Sequence, residues 1–360
     1  MPQATAAATL APPGGDLAPS SGSDFAPLLR EVKAAGLLGR RTGWYIAGIA
    51  LNLLALAAVV AAVVLVGDSW WTVALAVPAA IFWARTSFVG HDAGHAQITS
   101  DRRISALIGL VHGNLLLGMS RAWWNDKHNR HHANPNHIDK DPDVAVGALV
   151  WTRHQAALRQ GFTRWLTRHQ ARLFFPMLLL EGLNLKVSGL RDLRRQTPRE
   201  RALEAPLLVV HYIMYIGFLL AVLSPGKALV FGLVHHALFG LYLGMAFAPG
   251  HKGMEMPDPQ GDRWGHLKRQ VVTSRNIRGG PATDWALGGL NYQIEHHLFP
   301  SMARPHLPLA QPLVRAHCVR LGLPYTETGL IDSYVWALRH MHDVGAPLRS
   351  GVEPAASGTR

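Results

Sequence analysis

One stretch of this chain restricts the possible folds more than any other feature. Residues 44–66 (WYIAGIALNLLALAAVVAAVVLV) contain no charged side chain. A helix needs about 20 apolar residues to cross the hydrocarbon core of a bilayer. A second apolar run, residues 70–88, follows after a three-residue turn, and its one charged side chain, Arg85, lies near its end and can reach the membrane interface. The two runs predict a transmembrane hairpin.

A second hairpin is predicted further along the chain. Residues 206–223 and 228–248 are apolar and are joined by a short turn at 224–227. The fold class that follows is an all-α integral membrane protein with four transmembrane helices in two hairpins. Two further apolar segments, 104–119 and 173–190, are interrupted by polar residues, so we expect them at the interface or buried in protein.

The basic residues predict the orientation. They precede the first span and are frequent in 91–205 and after 249, whereas the hairpin turns offer only Lys227. Positive residues favour the cytoplasmic side. We therefore expect cytoplasmic termini and a cytoplasmic helical cap, residues 91–205 and 249–349, within one membrane domain that spans residues 25–349. The tails 1–24 and 350–360 are rich in small residues and proline and are expected to be disordered.

Charge and cysteine content exclude several classes. The formal net charge of +12 favours anionic lipid head groups, an acidic protein partner or a phosphate-bearing substrate. Nucleic acid is a poor candidate, because the basic residues lie beside spans and no nucleic-acid motif accompanies them. A single cysteine, Cys318, excludes an internal disulfide framework and a cysteine-ligated cluster.

Eight of the 20 histidines lie in tight clusters where apolar runs meet polar chain. Imidazole is a good ligand for iron, zinc, copper and nickel, and eight donors suffice for two ions. Clusters at helical spacing would rarely arise by chance, so we predict a metal site at the membrane surface. The candidate ligands are His91, His95, His128, His131, His132, His251, His296 and His297.

The spacings within the clusters place several of these rings together. Residues four apart share one face of a helix, as His91 and His95 do, and the second cluster combines spacings of three and four with one ring turned aside. Gln293 precedes the last pair at the same spacings. A metal-bound histidine usually donates its second N–H to a carboxylate or carbonyl. The candidates for such surrounding contacts are Asp92, Asp141, Gln293 and Asn291.

The donor set suggests a type of chemistry. Soluble di-iron bundles use glutamates and Glu-x-x-His pairs, and the apolar runs of this chain contain no such pattern. Neutral nitrogen donors around two irons suit oxygen activation and attack on an unactivated C–H bond. A site beside the membrane favours a lipid-soluble substrate.

Three stretches resemble the histidine boxes of the membrane fatty acid desaturases. They are HDAGH (91–95), WWNDKHNRHHANPN (123–136) and GGLNYQIEHHLFP (288–300), and the resemblance runs from about residue 44 to residue 320. It implies that the eight histidines bind two iron ions. It also implies O₂ as co-substrate and insertion of a cis double bond into a fatty acyl chain, carried either by CoA or by a membrane lipid.

The glutamine at 293 resembles the front-end subgroup of that family, which implies a Δ5- or Δ6-type activity. Many front-end members carry a fused cytochrome-type domain with a His-Pro-Gly-Gly motif, whereas this amino-terminal tail has Pro12-Pro13-Gly14-Gly15 without the histidine. Electrons are therefore expected from another protein, such as ferredoxin and its reductase.

Two other functions remain open at this level. Related three-box enzymes hydroxylate similar carbons, and no motif here distinguishes the two products. A metal-binding membrane protein without catalysis, such as a transporter, would place ionisable residues along a path through the spans. The features of that kind are His211 and the pair His235-His236, for which helix packing is the favoured role.

Overall fold

The computed structural model describes residues 23–258 and 264–350. Residues 1–22 and 351–360, which make up nearly all of the two predicted tails, lie outside the described residues. The described part is helical apart from two short parallel strands, β1 (Asn276–Ile277) and β2 (Glu327–Thr328). The helices are α1 (Phe25–Ala34), α2 (Thr42–Val66), α3 (Ala76–Gly94), α4 (Arg102–Gly109), α5 (Arg121–Ala133), α6 (Arg153–Ala157), α7 (Gly161–Leu178), α8 (Glu181–Asp192), α9 (Pro198–Val222), α10 (Pro225–Phe247), α11 (His266–Val272), α12 (Pro281–Leu287), α13 (Gln293–Leu298), α14 (Leu307–Arg320), α15 (Leu330–Val344) and α16 (Ala346–Ser350).

Four helical stretches are long and apolar enough to cross a membrane, and each overlaps one of the four predicted spans. They are Thr42–Val66, Trp70–Gly94, Pro198–Val222 and Pro225–Gly250. Two bent helix pairs raise the possible number to six if each pair forms one span. The prediction of an all-α membrane fold is confirmed.

The two hairpin turns contact each other at the end of the bundle away from the histidines. Lys227 Nζ lies 3.1 Å from Asp68 Oδ2, and the same aspartate accepts a 2.8 Å hydrogen bond from the Ser224 backbone. Near the other end, α3 continues six residues past the predicted end of its span, as far as Gly94. This extension carries His91 out of the apolar run.

The two interrupted apolar segments form the bent pairs. A π-helix, Leu110–Leu116, follows α4, and α5 then turns by 115°, whereas α7 and α8 meet at 84°. Lys186 of α8 is buried, with Nζ 2.5 Å from the Leu117 carbonyl and 3.3 Å from His211 Nε2. A carbonyl left free at the end of a helix needs a donor. Lys186 supplies one and ties α8 to the π-helix and to α9.

The histidines of the spanning helices pack as expected. The ring of Trp83 lies 4.1 Å from that of His235 and 5.6 Å from that of His236. His235 Nδ1 also shares a 2.8 Å hydrogen bond with the Tyr215 hydroxyl. These histidines therefore join helices to one another.

Candidate metal centre

The structure brings all eight predicted histidines together at one end of the bundle. They come from α3 and the residue after it, from α5, from the turn after α10, and from α13. One set has five members and the other three, with the ligand atoms of each set within 4.8 Å of one another. The five-histidine set consists of His91, His95, His128, His132 and His296; the three-histidine set consists of His131, His251 and His297.

Helix geometry explains how neighbouring residues reach different sets. His128 and His132 are one turn apart on α5 and both join the five-histidine set, while His131 between them joins the other. His296 and His297 on α13 are separated in the same way. Successive side chains of a helix diverge by about 100°. Each of these two short helices therefore supplies histidines to both sets.

In the three-histidine set, every imidazole has a hydrogen-bond acceptor at Nδ1. His131 faces Asp141 Oδ2 at 2.8 Å, His251 faces the Thr273 carbonyl at 3.0 Å, and His297 faces Gln270 Oε1 at 3.0 Å. A neutral imidazole that donates through Nδ1 leaves a lone pair on Nε2. The acceptors thus direct all three lone pairs inward.

The resulting contacts are those of a cation site. Nε2 of His251 lies 3.3 Å from Nε2 of His131 and 3.0 Å from Nε2 of His297. Lone pairs at these distances repel one another unless a positive ion lies between them. The residues present therefore fit a bound metal.

The five-histidine set has the same property. The Nε2 atoms of His91, His95 and His296 are buried and have no hydrogen-bond partner among the described residues. His91 Nδ1 lies 2.9 Å from Asp92 Oδ1, and Asp92 Oδ2 lies 2.5 Å from Arg304 Nε. A buried polar atom without a partner is costly. A metal ion would satisfy all three nitrogens at once.

The electrostatics favour the neutral form, which binds metal, for several of these rings. Burial, and then the neighbouring imidazoles, hold the pKa of His132, His296 and His297 well below the usual value. Burial, followed by the neighbouring imidazole of His131, lowers the pKa of His251 to about 3. Protons therefore do not compete for these nitrogens near neutral pH.

Gln293 lies beside the three-histidine set. Its Nε2 is 2.8 Å from His251 Nε2. The two ends of a side-chain amide are assigned from hydrogen bonding, and rotation by half a turn exchanges them. In the rotated form the oxygen faces the centre of the set, which gives this set a fourth possible donor.

Of the other three residues predicted to surround the site, two contact histidines of the two sets. Asp92 and Asp141 accept from His91 and His131, as described above. Asn291 instead donates to Asp284 Oδ1 at 2.7 Å.

Several side-chain contacts at the site were not predicted from the sequence. Gln270 and Thr273 lie outside the histidine clusters, and Arg304 reaches Asp92 from beyond the third cluster. Asn136 donates through Nδ2 to the His251 carbonyl at 3.0 Å, and its backbone N–H donates to Asp141. Asn136 has a φ of 57°, which asparagine tolerates better than most residues.

A buried carboxylate fixes the start of α5. Glu204 of α9 accepts from the Ser120 hydroxyl at 2.6 Å and from the Ala122 backbone N–H at 2.7 Å. Ser120 is also the N-cap of α5 and accepts from the Trp123 backbone. Since α5 carries three of the eight histidines, these bonds help to set where those rings lie.

Histidines of both sets line a cavity of about 350 Å³. The Trp124 ring stacks on His128 at 4.3 Å and lines this space. Lys127, paired with Asp143, lies at its edge. Its apolar wall includes Leu149, Phe174, Leu178, Leu243, Phe247 and Ala248. The space suits an apolar chain that passes beside the metal centre.

Comparison with known proteins gives a family. The model of the family described as fatty acid desaturase matches residues 68–329. An acyl-lipid (9-3)-desaturase of Physcomitrium patens is 32% identical over 277 residues, which are 74% of this chain and 52% of that protein. This chain therefore matches about half the length of that protein.

Two other relatives match larger shares of this chain and of their own length than the first. A Δ8 fatty acid desaturase of Arabidopsis thaliana is 27% identical over 92% of this chain and 76% of its own length. A Δ6 fatty acid desaturase of Caenorhabditis elegans is 27% identical over 78% of this chain and 66% of its own length. With these relatives and the matched family model, the chain belongs to the membrane fatty acid desaturase family, in its front-end type.

Proposed function

We propose that this chain is an O₂-dependent front-end desaturase of fatty acyl chains, with iron bound by both histidine sets. The observation that supports this most strongly is the inward orientation of buried, neutral imidazole nitrogens beside an apolar cavity. Bound iron would supply the oxidising chemistry: two hydrogens removed from adjacent carbons would combine with O₂, two external electrons and two protons to leave a double bond and two molecules of water.

The chain's own residues prepare this chemistry. Asp92, Asp141 and Gln270 hold three imidazole rings in orientation through Nδ1. The apolar cavity wall would hold the acyl chain and keep bulk water from the reacting carbons. No side chain needs to act as an acid or base in this scheme, because the histidines serve as ligands.

We further propose that the eight histidines are the iron ligands and that Gln293 is a weaker fourth donor to the three-histidine set. Its amide lies 2.8 Å from His251 Nε2. We assign Asn291 no role in iron binding, because its side chain is hydrogen-bonded to Asp284. Measurement of iron per chain by mass spectrometry tests it: Gln293→Ala should retain the iron of the five-histidine set and lose part of the rest.

We also propose how the chain is oriented in the membrane and where its electrons come from. We place both termini and the histidine sets on the cytoplasmic side, within one membrane domain of residues 25–349. The basic residues that flank the spans support this placement. An external donor such as ferredoxin, reduced by its reductase, would supply electrons, and the net charge of +12 favours an acidic carrier.

The test is the fatty acid profile of a host that expresses the chain together with a ferredoxin and its reductase. Cells receive saturated, monoenoic and dienoic acids, and double bonds are located by derivatisation and gas chromatography with mass spectrometry. His131→Ala removes one proposed ligand. His154→Ala is the matched control, because His154 is exposed and belongs to neither set.

A new double bond that requires His131 and tolerates His154→Ala would support the proposal, and a position on the carboxyl side of an existing double bond would support the front-end assignment. A hydroxylated product would replace desaturation with hydroxylation. An unchanged profile in cells whose purified protein contains iron would overturn the proposed activity.

A further inference from the structure

The surface formed by α6 and the first half of α7 has a composition found nowhere else along the chain. From residue 144 to residue 180 there is no aspartate or glutamate, whereas five arginines occur there. The same stretch exposes large apolar side chains: Leu158 is 68% exposed, Phe162 72% and Trp165 50%. Exposed aromatic residues beside uncompensated positive charge need an explanation other than packing.

Helical geometry divides α7 into three faces. Thr167, Gln170, Phe174 and Leu178 are buried, and Gln170 bonds to the backbone of Val150 and of Met341. This inner face is packed against the cap and therefore fixes the rotation of the helix. The other two faces are exposed as a consequence.

The second face is apolar. Phe162 and Trp165 stack with ring centroids 5.6 Å apart, and the half-buried His169 and Leu173 follow at spacings of four on the same side. Beyond the helix this face continues through Leu180, which is 63% exposed, to Leu183 and Val187 of α8. Since α8 packs on the spanning helix α10, these exposed apolar side chains lead from α7 towards a membrane-spanning helix.

The third face is cationic. Arg164, Arg168 and Arg172 are spaced by four residues and are exposed. None of the three pairs with a carboxylate among the residues that the structure describes. Arg349 adds a fourth positive charge, because its Nη1 donates to the Arg168 carbonyl at 3.2 Å. The arginines thus flank the apolar face along its length.

We propose that the α6–α7 surface, residues 153–172 with Arg349, lies in the membrane interface and binds anionic phospholipid head groups. An interfacial helix buries an apolar face at the level of the acyl chains and carries basic residues at the level of the phosphates. The exposed apolar side chains of α7 and α8, which lie next to the spanning helix α10, favour a lipid surface over an acidic protein. The helix also carries Phe174 and Leu178 into the cavity wall, so lipid contact at one end would steady that wall.

The experiment uses the full chain in vesicles of phosphatidylcholine with 30% phosphatidylglycerol. Phe162→Cys carries an environment-sensitive fluorophore, and the vesicles contain nitroxide quenchers on one lipid or the other. We expect blue-shifted emission, with the quencher on phosphatidylglycerol enriched about fivefold over that on phosphatidylcholine at low salt. The enrichment should fall toward one as ionic strength rises.

Charge variants supply the matched comparison. Arg164→Gln/Arg168→Gln/Arg172→Gln should abolish the preference for the anionic quencher. Arg315→Gln/Arg320→Gln should retain it, because those arginines are similarly exposed but pair with Glu327 and Glu31. Equal quenching by both lipids in the otherwise unchanged chain, or no quenching by either, would overturn the proposal whether or not the triple variant folds. None of these readouts depends on desaturase activity.

Discussion

Asp141 joins the second histidine cluster to the loop that follows it. It accepts from His131 Nδ1 and also from the backbone N–H groups of Asn136 and Asp143. Asp141→Asn removes the charge that polarises His131, so we expect iron affinity to fall about 10- to 100-fold at the three-histidine set. Chelator titration followed by metal analysis measures this loss.

The control for that variant is Asp139→Asn, since Asp139 is exposed in the same loop. It should retain iron as the unchanged chain does. Equal iron affinity in the Asp141→Asn variant and the unchanged chain would contradict the positioning role of this carboxylate.

The single cysteine should not react with alkylating reagents while the protein is folded. Cys318 is fully buried in α14, and burial, followed by the negative charge of Glu295, raises the pKa of its thiol to about 12. A raised pKa keeps the group in the unreactive thiol form at pH 8. Iodoacetamide at pH 8 should therefore add no mass to the native chain and one adduct after denaturation, as measured by intact mass spectrometry. Alkylation of the native chain at the rate seen in denaturant would contradict this expectation.

At the scale of elements, the crossing of α8 over α10 depends on glycine. A Cβ atom on Gly240 would lie 2.7 Å from the Leu178 carbonyl oxygen and would meet the Gly182 backbone. Backbone cannot move aside cheaply, so Gly240→Ala should lower the free energy of unfolding by about 1 to 3 kcal/mol. Thermal unfolding in detergent, followed by size-exclusion fluorescence, measures the change.

The same helix offers the control. A Cβ atom on Gly232 would meet nothing within 4 Å. Gly232→Ala should leave stability unchanged or raise it, because alanine favours a helix by about 1 kcal/mol. If both variants unfold at the same temperature, close packing at this crossing is not important for stability.

At the level of elements, the spacing of the histidines in the sequence predicted which rings lie on the same face of a helix. His91 and His95 share a face, as do His128 and His132. The division into sets of five and three could not be predicted, because it depends on how α5 and α13 cross the other helices. Sequence spacing shows which rings are neighbours on one helix, but it does not show which ring of another helix they meet.

At the scale of the whole molecule, the four spans were predictable because hydropathy reports directly on lipid burial. The two bent helix pairs were harder to predict from hydropathy, since polar residues such as Asn114 and Lys186 interrupt their apolar runs. The structure buries both residues within the protein. Partners such as Arg304 for Asp92 come from distant parts of the chain, and a single sequence contains no signal that joins them.

Metal removal should destabilise the whole fold. The two sets join α3, α5, α13 and the turn after α10, so an ion bound there holds four separate parts of the chain together. A ligand that binds only the folded state at 100 to 1,000 times its dissociation constant adds about 3 to 4 kcal/mol. Stripping iron with a chelator should therefore lower the melting temperature, and adding iron back should restore it. An unchanged melting temperature after complete removal would contradict this role.

The two neighbouring histidines of α13 also impose an order on biosynthesis. His296 belongs to the five-histidine set and His297 to the three-histidine set, and both follow all the other histidines of the two sets in the chain. Neither set is complete until the ribosome has synthesised its α13 histidine and α13 has packed beside α5. We therefore expect chains truncated before α13 to bind metal less tightly than the full chain, because each set then lacks one histidine.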